Sequence, residues 1–242
     1  MKKVAVIIFG LFIMVLLTCG AGRAQDPLQL TPALAADLDN RLAAQGLQAG
    51  NAVFMRIFKR EAVLELWMQK DNQEFVLFHT YPICYFSGNL GPKQRVGDRQ
   101  SPEGFYAVGR NQLNPYSNYH LFFNLGYPNA YERGQGYSGS LLMVHGNCVS
   151  IGCYAMTDIQ ITEIYNLAEK ALLAGQPFFR VHAFPFPLRD ENLNQYQQSP
   201  WYDFWRMMQP GFLYFEKYHQ PPDIVVKDGR YTLSASNLPL DQ

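Results

Sequence analysis

The chain has 242 residues, and its 20 Lys and Arg are balanced by 20 Asp and Glu. A length of this order gives one sizeable domain plus an appendage, and the balanced charge argues against nucleic acid as a partner. Aromatic residues make up 14% of the chain, enough to fill a core and to furnish a groove for an extended polymer.

Lys2 and Lys3 precede an apolar run from Val4 to Leu17 and the small-residue stretch CGAGRA. This pattern predicts a secretory signal peptide over residues 1–24, cut after Ala24. Acylation at Cys19 and a retained membrane anchor are the competing readings. Thr18 is a poor residue before an acylated cysteine, and the run is slightly short for a span. Contact with the membrane is expected only through this signal segment. Export leaves Cys84, Cys148 and Cys153, an odd number, which in an oxidising compartment means a free thiol or an intermolecular bond. Oligomeric state is left open.

Residues 25–50 read as a helix and linker, with Thr31 as N-cap, Pro32 at the first helical position, a stripe of Leu34, Leu38 and Leu42, and Gly46 as the stop. VFMRIFKR and AVLELWMQ then read as a hairpin turning at Arg60-Glu61, and EFVLFHTYPICYF as one or two further strands. A long Gly/Pro loop, SGNLGPKQRVGDRQSPEG, carries Lys93, Arg95 and Arg99 ahead of a strand from Phe105. Its length suggests a working loop, while plain solvated surface is the alternative for its cations. A second glycine-rich stretch precedes the strand LLMVH. The strongest helix follows, with a Thr157/Gln160 capping box, a buried face of Ile161, Ile164, Leu167, Ala168, Ala171 and Leu172, and Gly175 with Pro177 at its end. FFRVHAF is one more strand. The catalytic domain is thus expected over residues 51–186. Residues 187–242 form an α+β extension of two helices, the first opening at Ser199-Pro200, and a hairpin on the Asp228-Gly229 turn.

HGNCVSIGC, residues 145–153, concentrates a histidine and two cysteines. A thiol at Cys153, on a turn leading into the strong helix, suits a nucleophile whose thiolate the helix N-terminus stabilises. Gly152 lets the backbone approach a substrate, His145 can serve as base, and Ser150 or the Gly146 carbonyl can orient its second nitrogen. Three other readings stay open on residue chemistry alone. They are a zinc half-site on His145, Cys148 and Cys153, a local Cys148–Cys153 disulfide, and ordinary buried thiols.

The same stretch resembles the active-site signature of the L,D-transpeptidase (YkuD) family, a histidine-glycine followed by Ser-x-Gly-Cys. G97-D-R-Q-S-P-E-G-F-Y106 resembles that family's upstream stretch, and NLGPKQRVGDRQSPEGFY, RNQLNP, GYPNAY and WYDFW resemble its YafK/DpaA (LdtF) branch. The resemblance runs from about Ala52 to about Leu233. It implies a mainly β, sandwich- or barrel-like catalytic domain with one prominent helix after the cysteine, and no cofactor or metal. It implies Cys153 as acylated nucleophile, His145 as proton partner, the Gly146 carbonyl as its orienter, and the amides of Gly152 and Cys153 as oxyanion donors. Three departures stand out: a shorter connection from His145 to Ser150 than typical members have, Ile151 where histidine is common, and Ala155 where typical members carry Arg or Asn.

The branch implies a periplasmic Gram-negative enzyme acting on peptidoglycan stem peptides and on the murein-bound Braun-type lipoprotein. It would cleave the bond between meso-diaminopimelate and the lipoprotein's lysine. A transpeptidase forming diaminopimelate–diaminopimelate cross-links, or a helper of such enzymes, is the alternative, and a non-catalytic wall-binding module the third. Cys84 and Cys148 are expected to be structural, paired with each other or buried. Ser150 and the cations Lys93, Arg95, Arg99 and Arg133 are expected to contact stem-peptide groups, since Arg pairs bidentately with carboxylates.

Overall fold

The computed structural model describes residues 30–237; the signal-peptide expectation falls outside them. Helix α1 (Pro32–Ala44) starts as the sequence predicts, with the Thr31 hydroxyl accepting from the Leu34 amide and Pro32 in the first turn. Strands β1 (Val53–Phe58), β2 (Val63–Gln69) and β3 (Phe75–Pro82) make an antiparallel meander. A short β4 (Tyr85–Phe86) follows, then the long loop, then β5 (Gly104–Val108).

Beyond β5 the structure holds a hairpin that the sequence reading passed over, β6 (Leu113–Ser117) and β7 (His120–Asn124). The glycine-rich stretch after it contains a one-turn helix, α2 (Ala130–Gly134), closed by an Asn129/Glu132 capping box. Strands β8 (Met143–His145) and β9 (Tyr154–Ala155) flank the signature loop. Helix α3 (Asp158–Leu173) has the predicted capping box and buries the predicted face. Strand β10 (Phe179–Phe184), the short helix α4 (Asp190–Leu193), helix α5 (Tyr202–Tyr218) and the hairpin β11 (Ile224–Lys227) and β12 (Arg230–Leu233) complete the fold.

Two five-stranded mixed sheets, ordered β3-β2-β1-β10-β5 and β4-β9-β8-β7-β6, dominate. Their shared core takes Val53, Met55 and Ile57 from β1, Phe123 from β7, and the buried face of α3. The other face of β1 is buried too, since Phe54 and Phe58 pack against Phe212 and Phe215 of α5. That explains why every residue of β1 is buried and why its sequence shows no apolar–polar alternation. Arg56 lies among those rings, bonded to Glu65 and Glu216. The C-terminal extension therefore covers one face of the first sheet. Each large side chain it buries, such as Phe212 or Met208, contributes about 1.5–3 kcal/mol.

The two helices expected after residue 187 need correction. The helix following Ser199-Pro200 does not end at Pro210 but runs through it to Tyr218. Pro210 and Arg206, whose carbonyl loses its helical donor, both face solvent, so water can take the missing bond. The second helix is instead the short α4, upstream of Ser199.

Candidate active site

Strands β8 and β9 run parallel, with Val144 opposite Tyr154 and His145 opposite Ala155. Cys153 immediately precedes β9 with its thiol against the Met143 backbone, so it stands beside the strand that ends at His145. Both line one cleft of about 610 Å³, a size suited to a small peptide. The Cys153 sulfur lies 3.7 Å from the Leu141 carbonyl oxygen.

His145 is held by its neighbour. Its Nδ1 lies 2.6 Å from the Gly146 carbonyl oxygen, which can only accept, so Nδ1 carries the proton and Nε2 is left as the acceptor. Burial pushes the imidazole below its ordinary pKa, and the Gly146 bond opposes that only in part. Burial thus favours the neutral imidazole, with Nε2 free to accept a proton. The Tyr119 ring packs against it, centroids 4.8 Å apart. A Cβ at Gly146 would sit 2.6 Å from an Asp158 carboxylate oxygen and 3.0 Å from Ile161, so a side chain there would displace the carboxylate that holds the Asn147 amide.

From Gly146 the chain climbs through Asn147 and Cys148, both left-handed. The Asn147 amide donates to the Asp158 carboxylate at the start of α3. Cys148 forms a disulfide with Cys84 across 64 residues, as the sequence reading allowed. Both half-cystines are solvent-exposed, so the bond is a surface clasp. Cys84 and Cys148 are further fixed by amide bonds to the carbonyls of Ala155 and Met156. Cys153 is the free cysteine among the described residues.

The surroundings of Cys153 differ from expectation in two respects. It does not adjoin the helix: β9 intervenes, and α3 starts only at Asp158. Burial pushes the thiol above its usual range, while the Met143 backbone and the Lys93 charge pull weakly the other way. Both shifts favour the thiol and the neutral imidazole over thiolate and imidazolium. Second, Ser150 does not orient His145. Its hydroxyl accepts from the amides of Gly152 (3.1 Å) and Cys153 (2.8 Å) and donates to the Cys153 carbonyl (2.8 Å). The two amides expected to meet an oxyanion are occupied by Ser150 in the resting site.

The four cations separate. Lys93 and Arg99 line the cleft. Lys93 is nearly buried and paired with Asp98. Partial burial works against ionisation of that carboxyl, but the Arg95 amide, Lys93, and the amides of Gln94 and Gln100 outweigh it and hold its pKa low. Arg99 is exposed, with left-handed backbone. Arg95 lines a smaller neighbouring recess with Trp201, and Arg133 donates to the Pro128 carbonyl outside the cleft. Four apolar side chains the sequence reading did not single out as a group, Val96, Leu141, Val149 and Ile151, rim the cleft, each more than half exposed. Ala155 is fully buried in the sheet and places nothing in the cleft.

Residues 57–181 match the L,D-transpeptidase catalytic domain family (YkuD). YafK of Escherichia coli K12, which carries the L,D-transpeptidase designation, is 49% identical over 185 residues that cover 76% of this chain and 75% of that protein. Among solved structures, the helical cell shape determining protein Pgp2 of Campylobacter jejuni, as its K307A mutant, aligns over 82% of this chain and 81% of its own at 17% identity and a TM-score of 0.46. Bd1075 of Bdellovibrio bacteriovorus aligns over 74% and 78% at 16% identity and a TM-score of 0.40.

Proposed function

The chain belongs to the L,D-transpeptidase catalytic domain family and is a peptidoglycan-acting cysteine enzyme of that family; from that premise we propose that it is a periplasmic amidase releasing a Braun-type lipoprotein from murein. Cys153 loses its proton to His145 Nε2 as its sulfur attacks the carbonyl at the L-centre of meso-diaminopimelate. The carbonyl oxygen displaces the Ser150 hydroxyl from the amides of Gly152 and Cys153. The C–N bond breaks, and the lipoprotein's lysine leaves as an amine carrying the proton from His145. Water, deprotonated by the same histidine, then attacks the thioester, restoring the thiol and giving a free carboxylate.

The observation that carries hydrolysis over cross-linking is the charge of the cleft. Of its two charged lining residues, Lys93 is balanced by Asp98 just behind the lining and Arg99 is exposed, and no Asp or Glu lines the cleft. The Arg99 charge disfavours a cationic amine acceptor by like-charge repulsion, whereas neutral water is unaffected. The fully buried Ala155, where typical members carry Arg or Asn, is compatible with this reading, since that position offers an acceptor no side chain.

The test is mass spectrometry of lipoprotein-bearing murein after incubation with the mature protein. Released lipoprotein with a C-terminal lysine and intact tripeptide stems is the expected result. New diaminopimelate–diaminopimelate dimers in its place would establish the transpeptidase reading. Full activity in Cys153→Ala would sink both.

A further inference from the structure

We propose that Ser101 is a positioning residue for the Cys153 nucleophile, and that the C-terminal extension holds it in place through a buried ion pair, Lys59–Glu103. The inference rests on Cys153 being the reactive group, as proposed above.

The chain of contacts is continuous. Ser101 is fully buried, and its hydroxyl donates to the Cys153 carbonyl at 2.8 Å while accepting the Ser87 amide at 3.2 Å. With Ser150 on the same oxygen, two hydroxyls fix the peptide plane that follows the nucleophile. The next residue is fixed from the same segment, since the Tyr154 hydroxyl donates to the Pro102 carbonyl at 2.6 Å. Two consecutive residues are thus registered against residues 101–102, and the direction of the Cys153 side chain follows from theirs.

Residues 101–102 belong to the irregular loop between β4 and β5, which no sheet ladder orders. Lys59 does that instead. Its ammonium, fully buried, bonds the carbonyls of Asn89 (2.7 Å), Gly91 (3.1 Å) and Ser101 (3.0 Å) and pairs with Glu103 at 3.1 Å. Glu103, equally buried, accepts the Gly91 amide at 2.7 Å and the indole N–H of Trp205 at 2.8 Å. Trp205 sits in α5, wedged among Phe186 and Tyr196. A buried ion pair is a poor source of stability, because desolvation consumes most of the attraction. Here every polar partner is a loop group or the indole of α5, so the pair specifies one loop geometry.

Two folded variants decide the matter. Ser101→Ala removes the hydroxyl, and Trp205→Phe removes only the indole N–H while keeping a ring. Both are measured for kcat and KM on lipoprotein-bearing murein fragments, and for the rate of Cys153 alkylation by iodoacetamide against pH. Ser101→Ala is expected to lower kcat about tenfold or more, as misplacement of a reacting group does. KM should stay within about twofold and the alkylation profile should shift, because binding is untouched. Trp205→Phe should move the same quantities the same way, by less. Unchanged kcat and alkylation in folded Ser101→Ala overturns the proposal. If that variant does not fold, an unchanged alkylation profile in Trp205→Phe overturns it and a shifted one supports it. Alkylation needs no substrate, so it reads the positioning even if the reaction is not the one proposed. Retained activity in Cys153→Ala would instead remove the nucleophile on which the inference rests.

Discussion

Replacing Cys84 and Cys148 by serine tests how firmly the signature loop is clasped. The bond closes a span of 64 residues, and chain-entropy reasoning assigns to such a loop about 4 kcal/mol near room temperature. Part of this is returned. Asn147 and Cys148 both hold left-handed backbone, a conformation costing about 1 kcal/mol for a non-glycine residue, and an untethered loop can relax out of it. With about 1 kcal/mol returned at each of the two residues, the net loss is about 2 kcal/mol, or a fall in Tm of roughly 4–8 °C for a chain of this size. Guanidinium unfolding of the oxidised protein, the reduced protein and the double-serine variant measures it directly. Reduced wild type and variant should coincide, because the half-cystines are exposed and a mild reductant reaches them without unfolding. A transition midpoint unmoved by reduction, or three free thiols in the unreduced protein, would refute the reasoning.

His182 is fully buried among Phe54, Phe105 and Phe184, with Nδ1 unpartnered. Burial, aided by Arg180 and Arg56, holds its pKa well below the ordinary value, so the unfolded chain takes up the proton first. The stability it allows above an ordinary histidine pKa is lost as pH falls below it, and His182→Phe should flatten that loss in urea titrations between about pH 7.5 and 5. Glu132 is the opposite case. Burial, opposed by bonds from Tyr106 and the Asn129 amide, raises its carboxyl to about 7. The folded state thus keeps a proton that the unfolded state releases, stability drains away as pH rises toward 7, and Glu132→Gln should gain on wild type from pH 5 to 8. Arg99→Glu should lower kcat/KM about tenfold while Arg133→Glu leaves it unchanged, since only Arg99 faces the cleft; equal effects would contradict the geometry. Lys93→Met should move the alkylation midpoint of Cys153 higher, because Lys93 pulls that thiol down; a lower midpoint would contradict it.

Much of this was legible in the residues. The Thr157/Gln160 box, the Asp228-Gly229 turn and the β1–β2 hairpin follow from local chemistry that tertiary contacts reinforce. The short α2 also left a signal, Asn129 followed three residues on by Glu132, hidden by the glycines around it. The β6–β7 hairpin was less readable, since Pro115 falls inside β6 and argues against a strand. Local rules also stop a helix at Pro210, and only the solvent-facing orientation of that turn excuses it. At the site, the residue types of Cys153 and His145 announced themselves, but their surroundings did not. Lys59, Glu103 and Ser101 read as surface or loop residues, because charged groups are rarely buried without partners, and those partners lie far along the chain. The intervening β9 is two residues long, too short for any periodicity, which is why Cys153 seemed to adjoin a helix.

The parallel pairing of β8 and β9 separates two design variables that are usually entangled. His145 and Tyr154, the residue after Cys153, are registered by the sheet, so the segment between them bridges two strands whose pairing is fixed independently of it. Its length can therefore vary while His145 and the strand that follows Cys153 stay in register. In this chain the segment is short and clasped, and its Val149 and Ile151 stand over the cleft. Exchanging Val149 alone would reshape the rim of the cleft while leaving the Cys84–Cys148 bond and the Gly146 carbonyl on His145 in place.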